Sequence, residues 1–227
     1  MNVALILSGG TGSRMKADKP KQYLRIQGRM LIEYCLETFE KCKDIDAIQI
    51  VADECWKESL ENLSLCKLKG FSKPSVTRQL SILNGLKDIR SYADDSDIVV
   101  IHDAARPLIT EKLIEMIIQT VKEHDGAMPV LPMKDTIYYS RDGKGVTSLL
   151  DRNCLFAGQA PEAFQLGKYY DANIQLSKEK LLTINGSTEP AVLAGLDIAF
   201  VAGEETNFKI TTQEDFEQFK ELISKGV

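Results

Sequence analysis

The sequence predicts an α/β fold in which a mostly parallel sheet is covered by helices on both faces. Three observations carry that prediction. Runs such as residues 2–8 and 98–101 are apolar almost throughout, as strands buried on both faces require. These runs alternate with segments of helical period, the pattern of βαβ units. The alternation stops after Pro132, where two short runs flank a turn signal.

Taken in order, residues 2–8 read as a first buried strand that ends in glycines. Residues 30–42 read as a helix presenting Leu31, Tyr34, Cys35 and Phe39 on one face. Residues 47–51 are strand-like and 56–65 helical. Residues 79–89 are again helical, with Leu80, Leu83, Leu86 and Ile89 aligned. A second buried strand at 98–101 is followed by a helix at 113–121 and a strand at 126–131. Residues 136–140 and 146–150 then flank Asp142-Gly143, a strong hairpin signal. A two-stranded hairpin is marginal alone in water, so this one packs either on a second copy of the chain or back on its own sheet. A helix near 166–176, a polar stretch at 185–190, a strand at 197–201 and a helix at 213–224 complete the chain, the last with Thr211 as candidate N-cap. No repeat or low-complexity linker interrupts residues 1–227, which read as one domain with a hairpin arm at about 134–152.

Composition narrows the function. With 28 Lys and Arg against 33 Asp and Glu the formal charge is -5, so no global attraction to nucleic acid or to an anionic membrane is expected, and any anion site must be local. The first apolar stretch is broken by Gly9 and Gly10, too early for a signal peptide or a membrane span, and a cytoplasmic location is expected. The five cysteines are odd in number and form no C-x-x-C pair, which suggests neither a disulfide framework nor a zinc site. His102 and His124 are too few for a histidine-rich metal site.

Positive charge is nevertheless concentrated at residues 7–23, LSGGTGSRMKADKPKQY, beside Gly9, Gly10 and Gly12. Glycines at the carboxyl end of a first strand let backbone N–H groups approach an anion. The loop matches neither the Walker pattern nor the G-x-G-x-x-G dinucleotide fingerprint. Arg14 and Lys21, a guanidinium and an ammonium on one loop, make a clamp for a polyphosphate. A second group, HDAARP at 102–107, follows the strand at 98–101 and so faces the glycine loop across the sheet end. Asp103 there suits a magnesium ion bridging phosphates, and Arg106 suits either Asp103 or a phosphate. The same residues also read as a structural ion pair with a cap for the helix after Pro107.

Together these stretches resemble the polyol-phosphate cytidylyltransferases, the family that includes the methylerythritol phosphate and ribitol 5-phosphate enzymes. Six blocks appear in order: LSGGTGSRM with PKQYL (7–24), TRQLSILNGL (77–86), HDAARP (102–107), KDTI (134–137), the stretch from DRN to QAPEAF (151–164), and NFKITTQEDF (207–216). The resemblance implies a Rossmann-like three-layer sandwich with a protruding β-hairpin dimerisation arm. It implies a reaction in which CTP and a polyol phosphate are joined and pyrophosphate is released, with magnesium on the nucleotide phosphates. By motif match, Arg14, Lys21 and Lys209 act on the α-phosphate, and Asp103 organises the metal. Ser8, Gly9, Gly10 and Gly12 line the nucleotide site with backbone, and Ser81 reaches the base or ribose. Thr136 and Arg152 reach the polyol phosphate from the other subunit of a homodimer, with Arg106 on the acceptor side. Without the resemblance, Lys209 reads as an exposed edge-strand lysine and Arg152 as a surface arginine.

The chain departs from the family pattern at three places. Pro74-Ser75-Val76 stands where the family has two glycines beside the cytosine. Gln159-Ala-Pro-Glu-Ala-Phe164 stands for QTPQ-F, and Asn185-Gly-Ser-Thr-Glu-Pro190 lacks the family's paired acids. The HDAARP block has the form of the methylerythritol phosphate enzymes, since the ribitol phosphate enzymes tend to carry valine at Ala105. The expected acceptor is therefore 2-C-methyl-D-erythritol 4-phosphate, with ribitol 5-phosphate as the alternative. A nucleotide-binding protein without catalysis and a Rossmann-type reductase are the readings from other classes. The first is opposed by Arg14, Lys21, Asp103 and Lys209, the second by the glycine spacing.

Overall fold

Val3, Ala4, Leu5 and Ile6 are all fully buried, and their side chains divide between two cores. Ala4 and Ile6 join the cluster containing Ile32, Leu36, Ile114 and Ile118, whereas Val3 and Leu5 join the cluster containing Ile82, Leu86 and Tyr169. That period-two division is what a strand with helices on both faces must show. The computed structural model describes residues 1–10 and 19–225.

Among these, β1 (Asn2–Leu7), β2 (Arg25–Ile26), β3 (Arg29–Met30), α1 (Leu31–Lys41), β4 (Ala47–Val51), α2 (Glu54–Glu61), β5 (Leu68–Ser72), α3 (Arg78–Ile89) and β6 (Ile98–Asp103) build the first half. They are followed by α4 (Glu111–Val121), β7 (Gly126–Pro132), β8 (Ile137–Tyr139), β9 (Ser148–Leu150), β10 (Phe156–Gly158), β11 (Glu162–Gln165), α5 (Leu166–Ile174), α6 (Lys178–Thr183), α7 (Glu189–Leu193), β12 (Ile198–Ala202) and α8 (Gln213–Ser224). The main sheet runs β10-β7-β11-β6-β1-β4-β5, with β12 parallel to β7. The strands β6, β1, β4 and β5 are parallel, while β10 and β11 are antiparallel to their neighbours. The expected mostly parallel α/β architecture is therefore present.

The predicted hairpin is also present, with Tyr138 opposite Leu149 and Tyr139 opposite Ser148. Tyr138, Tyr139, Leu149 and Leu150 are exposed, so the arm does not fold its apolar side chains back onto its own sheet. The N-cap of α8 is Thr212 rather than Thr211: the Thr212 hydroxyl accepts the Asp215 N–H, and the Asp215 carboxylate accepts the Thr212 N–H at 2.8 Å. Thr211 directs its own N–H and hydroxyl to the same carboxylate, which explains why either threonine reads as the cap. Among the described residues, no helix is long and apolar enough to cross a membrane.

Candidate active site

The central parallel strands deliver their carboxyl ends to one cavity. Leu7, the last residue of β1, pairs with Asp103 of β6 on one side and with Val51 of β4 on the other. A cavity of about 370 Å³ opens there, lined by Gly9, Gly10, Lys21, Arg78, Asp103 and Lys209 among others. This is where open α/β sheets bind ligands.

The start of the glycine loop is held from beneath. The Ser8 N–H and hydroxyl both donate to Val51 O, at 2.9 and 2.7 Å. Gln22, buried at the foot of the basic segment, donates its amide to Ser8 O and, at 2.8 Å, to Gly10 O. The Tyr23 hydroxyl reaches Ser8 Oγ at 3.0 Å, and burial pushes that phenol up to about 12. The PKQY motif therefore carries two residues whose work is to hold the loop. Lys21, between them in role, lines the cavity and donates to Ile210 O. Gly12 and Arg14 lie outside the described residues.

Asp103 forms the electrostatic centre. Its Oδ1 accepts Arg78 Nε at 3.1 Å and Nη2 at 2.9 Å, and its Oδ2 accepts Lys209 Nζ at 2.8 Å. Burial opposes its ionisation, but Arg78 and Lys209 hold the carboxyl far below the usual range. Lys209 arrives from the far end of the chain because Ile210 N–H bonds Ala105 O at 2.8 Å and Arg106 Nη1 bonds Asn207 O at 2.7 Å. Arg106 thus pairs with neither Asp103 nor a free position on the cavity wall; it fastens the 207–210 segment over the end of β6.

Arg78 is the residue sequence reasoning missed. It sits in the first turn of α3, after the N-cap Thr77 and in the same block as Ser81. Ser81 lines the cavity, yet its hydroxyl accepts the Ser75 N–H at 2.9 Å and donates to Thr77 O at 2.8 Å. In this arrangement it shapes the 75–77 segment. Behind Arg78 stands Glu162, 8% exposed, with Oε2 3.9 Å from Arg78 Nη2 and Oε1 accepting the Thr188 hydroxyl at 3.2 Å. Burial pushes the Glu162 carboxyl up to about 7, and Arg78 only partly offsets that rise. Among the described residues its Oε2 has no hydrogen-bond partner.

Thr136 and Arg152 line a separate cavity at the base of the hairpin with Leu149, Leu150 and Asp151, and Arg152 Nη1 donates to Lys134 O at 2.6 Å. Within one chain they do not join the Asp103 cluster. A metal ion fits Asp103 only in a particular way. Among the described residues, the three-ligand grouping of acid and thiol side chains is Cys42, Glu111 and Glu115, not a set around Asp103. One carboxylate on a cavity wall suits magnesium, which keeps several waters and takes its remaining ligands from substrate phosphates.

Comparison with known proteins follows the same lines. The family model for 2-C-methyl-D-erythritol 4-phosphate cytidylyltransferase (IspD) matches residues 2–224. A ribitol-5-phosphate cytidylyltransferase of Streptococcus agalactiae serotype V is 34% identical over 98% of this chain and 95% of the relative. A 2-C-methyl-D-erythritol 4-phosphate cytidylyltransferase of Clostridium acetobutylicum is 34% identical over 100% of this chain and 99% of the relative. The crystal structure of 4-diphosphocytidyl-2C-methyl-D-erythritol synthase from Anaerococcus prevotii superposes with a TM-score of 0.82 at 25% identity, covering 98% of this chain and 96% of that one.

Proposed function

The chain belongs to the 2-C-methyl-D-erythritol 4-phosphate cytidylyltransferase family, and from that membership we propose that it is a magnesium-dependent, homodimeric enzyme joining CTP to a polyol phosphate. An oxygen of the acceptor phosphate forms a bond to the α-phosphorus of CTP as the bond from that phosphorus to the pyrophosphate oxygen breaks, and pyrophosphate leaves. The observation that carries this reading is the Asp103 carboxylate held between Arg78 and Lys209 on the wall of a glycine-rimmed cavity. The backbone at Gly9 and Gly10 meets the triphosphate. Lys21 stabilises the charge that develops on the α-phosphate and the leaving pyrophosphate, a role that Arg14 shares by its place in the motif. Lys209 reaches the same phosphate once the nucleotide competes for it. Asp103 would hold magnesium together with the substrate phosphates, and the ion, when bound, would supply charge neutralisation for the triphosphate. Ser75 and Ser81 border the base end, where Pro74-Ser75-Val76 replaces the family's glycines.

The acceptor we favour is 2-C-methyl-D-erythritol 4-phosphate, which gives the CDP-linked polyol of isoprenoid precursor synthesis. The matched family model and the HDAARP form of the β6 end support it. Ribitol 5-phosphate is the second reading, supported by the S. agalactiae relative. The exposed apolar arm favours a homodimer in which Thr136 and Arg152 meet the acceptor phosphate in the partner's cavity. Exposed, unpaired Cys55, Cys66 and Cys154 suit a cytoplasmic enzyme.

Pyrophosphate release from CTP and magnesium with 2-C-methyl-D-erythritol 4-phosphate, ribitol 5-phosphate and glycerol 3-phosphate side by side tests the reading. Preference for the first supports the favoured acceptor, and preference for ribitol 5-phosphate supports the second reading. Release with none of them sinks both.

A further inference from the structure

Two carboxylates share one guanidinium's neighbourhood, and they are unequally served. Arg78 gives Nε and Nη2 to Asp103 Oδ1, at 3.1 and 2.9 Å. Glu162 Oε2 stands 3.9 Å from the same Nη2, beyond hydrogen-bond reach and, among the described residues, with no other partner, although Glu162 is more than nine-tenths buried. A buried carboxylate oxygen without a donor is costly, and native interiors rarely keep one without a use. Its other oxygen is fixed by the Thr188 hydroxyl, so the carboxylate is held in place and aimed.

Asp103 presents the opposite situation. Both of its oxygens already accept from cationic side chains, so a divalent ion that reaches that carboxylate competes with Lys209 and with Arg78 for it. Lys209 has a flexible stem and is partly exposed, and it can turn into the cavity. The Arg78 guanidinium is more confined, with its side chain 30% exposed and packed between two acids. A half-buried guanidinium loosened from one carboxylate is stabilised by another counter-ion within reach. Glu162 is that counter-ion.

We propose that Glu162 is a positioning residue for nucleotidyl transfer: it receives Arg78 when a divalent cation and the triphosphate occupy Asp103, and thereby sets the affinity of Asp103 for the cation. A shift of about an ångström converts the 3.9 Å separation into a charge-assisted hydrogen bond of ordinary length. The inference rests on the reading of Asp103 as the cation's ligand. Because Thr188 lies just ahead of α7, Glu162 also ties the acceptor-end segment 185–190 to the guanidinium it receives.

The test is binding of Mn2+ to the full-length enzyme with CTP and no acceptor, read by electron paramagnetic resonance of the free ion. Glu162→Gln keeps the side-chain shape but removes the charge, and is expected to weaken Mn2+ binding at least tenfold. Arg78→Gln removes the guanidinium that needs rehousing. Its Mn2+ affinity is expected to equal or exceed that of the wild type, and adding Glu162→Gln to it should change the affinity less than twofold. Unchanged affinity in Glu162→Gln, or the same tenfold loss from that change in the Arg78→Gln background, overturns the proposal alone. A wild-type enzyme that binds CTP but no Mn2+ overturns the proposal together with the metal reading. Should Glu162→Gln not fold, a tenfold weaker affinity in Arg78→Gln by itself contradicts the role assigned to Glu162.

Discussion

Lys209 Nζ lies 2.8 Å from Asp103 Oδ2 although 106 positions separate the two residues in the chain. The contact brings the C-terminal segment onto the end of the central strand β6, and it gives a lysine that is 36% exposed a fixed place at the cavity. Its ammonium is therefore available to a phosphate at little cost in side-chain ordering.

Lys209→Ala and Lys21→Ala are each expected to lower turnover a hundredfold or more, about 3 kcal/mol of transition-state stabilisation, as for loss of one preorganised donor. Far-ultraviolet circular dichroism should be unchanged. Steady-state kinetics on either variant at saturating CTP checks this, and near-normal turnover refutes the role given to that lysine.

His102 makes stability depend on pH. Its ring is fully buried, and Nε2 donates to Arg106 O at 2.9 Å, since a carbonyl only accepts. Burial lowers its pKa from 6.5 to about 4. The unfolded chain therefore binds a proton that the folded chain refuses between those values. The stabilisation is complete above pH 6.5 and is lost as the pH falls to about 4, a change of about 3 kcal/mol. Urea unfolding of the wild type and of His102→Gln across this range should show the slope reduced in the variant; equal slopes exclude His102 as its source.

Gly9 and Gly10 should respond differently to a methyl group. A Cβ at Gly9 meets Pro74 Cβ at 2.3 Å, whereas among the described residues nothing lies within 4 Å of one at Gly10. Gly9→Ala is expected to cost about 1–3 kcal/mol through overpacking, and Gly10→Ala less than about 0.5 kcal/mol. Thermal unfolding of the pair measures the difference, and equal melting temperatures contradict the close approach of the loop to Pro74.

The hairpin prediction concerns assembly. Leu149 is 64% exposed and sits opposite Tyr138 on an arm with little else to cover it. Leu149→Asp should leave the fold intact and halve the mass seen by sedimentation equilibrium. A wild-type monomer, or a variant dimer of unchanged affinity, rules the arm out as the interface.

Much of the fold was legible because burial on two faces leaves a continuous apolar run, as at 3–6, and because α3, α4 and α8 keep a clear helical period. The antiparallel strands β10 and β11 were not, since FAGQAPEAFQ at 156–165 has neither a run nor an alternation long enough to mark a strand. At the site, Asp103, Lys21 and Lys209 could be named because they stand in ordered motifs. Arg78 stood in such a motif too, but its partner Asp103 lies 25 positions away and only the pairing of β1 with β6 brings that aspartate beside the start of α3. Glu162 gave no signal, because its desolvation comes from segments remote in sequence. Gln22 and Tyr23 read as part of a basic loop, and only their hydrogen bonds to Gly10 and Ser8 show them beneath the glycines.

The central claim is that this site transfers a cytidylyl group to a polyol phosphate, and phosphorus NMR of one reaction mixture tests it most directly. With CTP, magnesium and 2-C-methyl-D-erythritol 4-phosphate or ribitol 5-phosphate, the phosphomonoester signal should fall. A diphosphate diester and free pyrophosphate should rise in equal amounts. Release of orthophosphate, or an unchanged spectrum with both acceptors while CTP remains bound, would contradict the account.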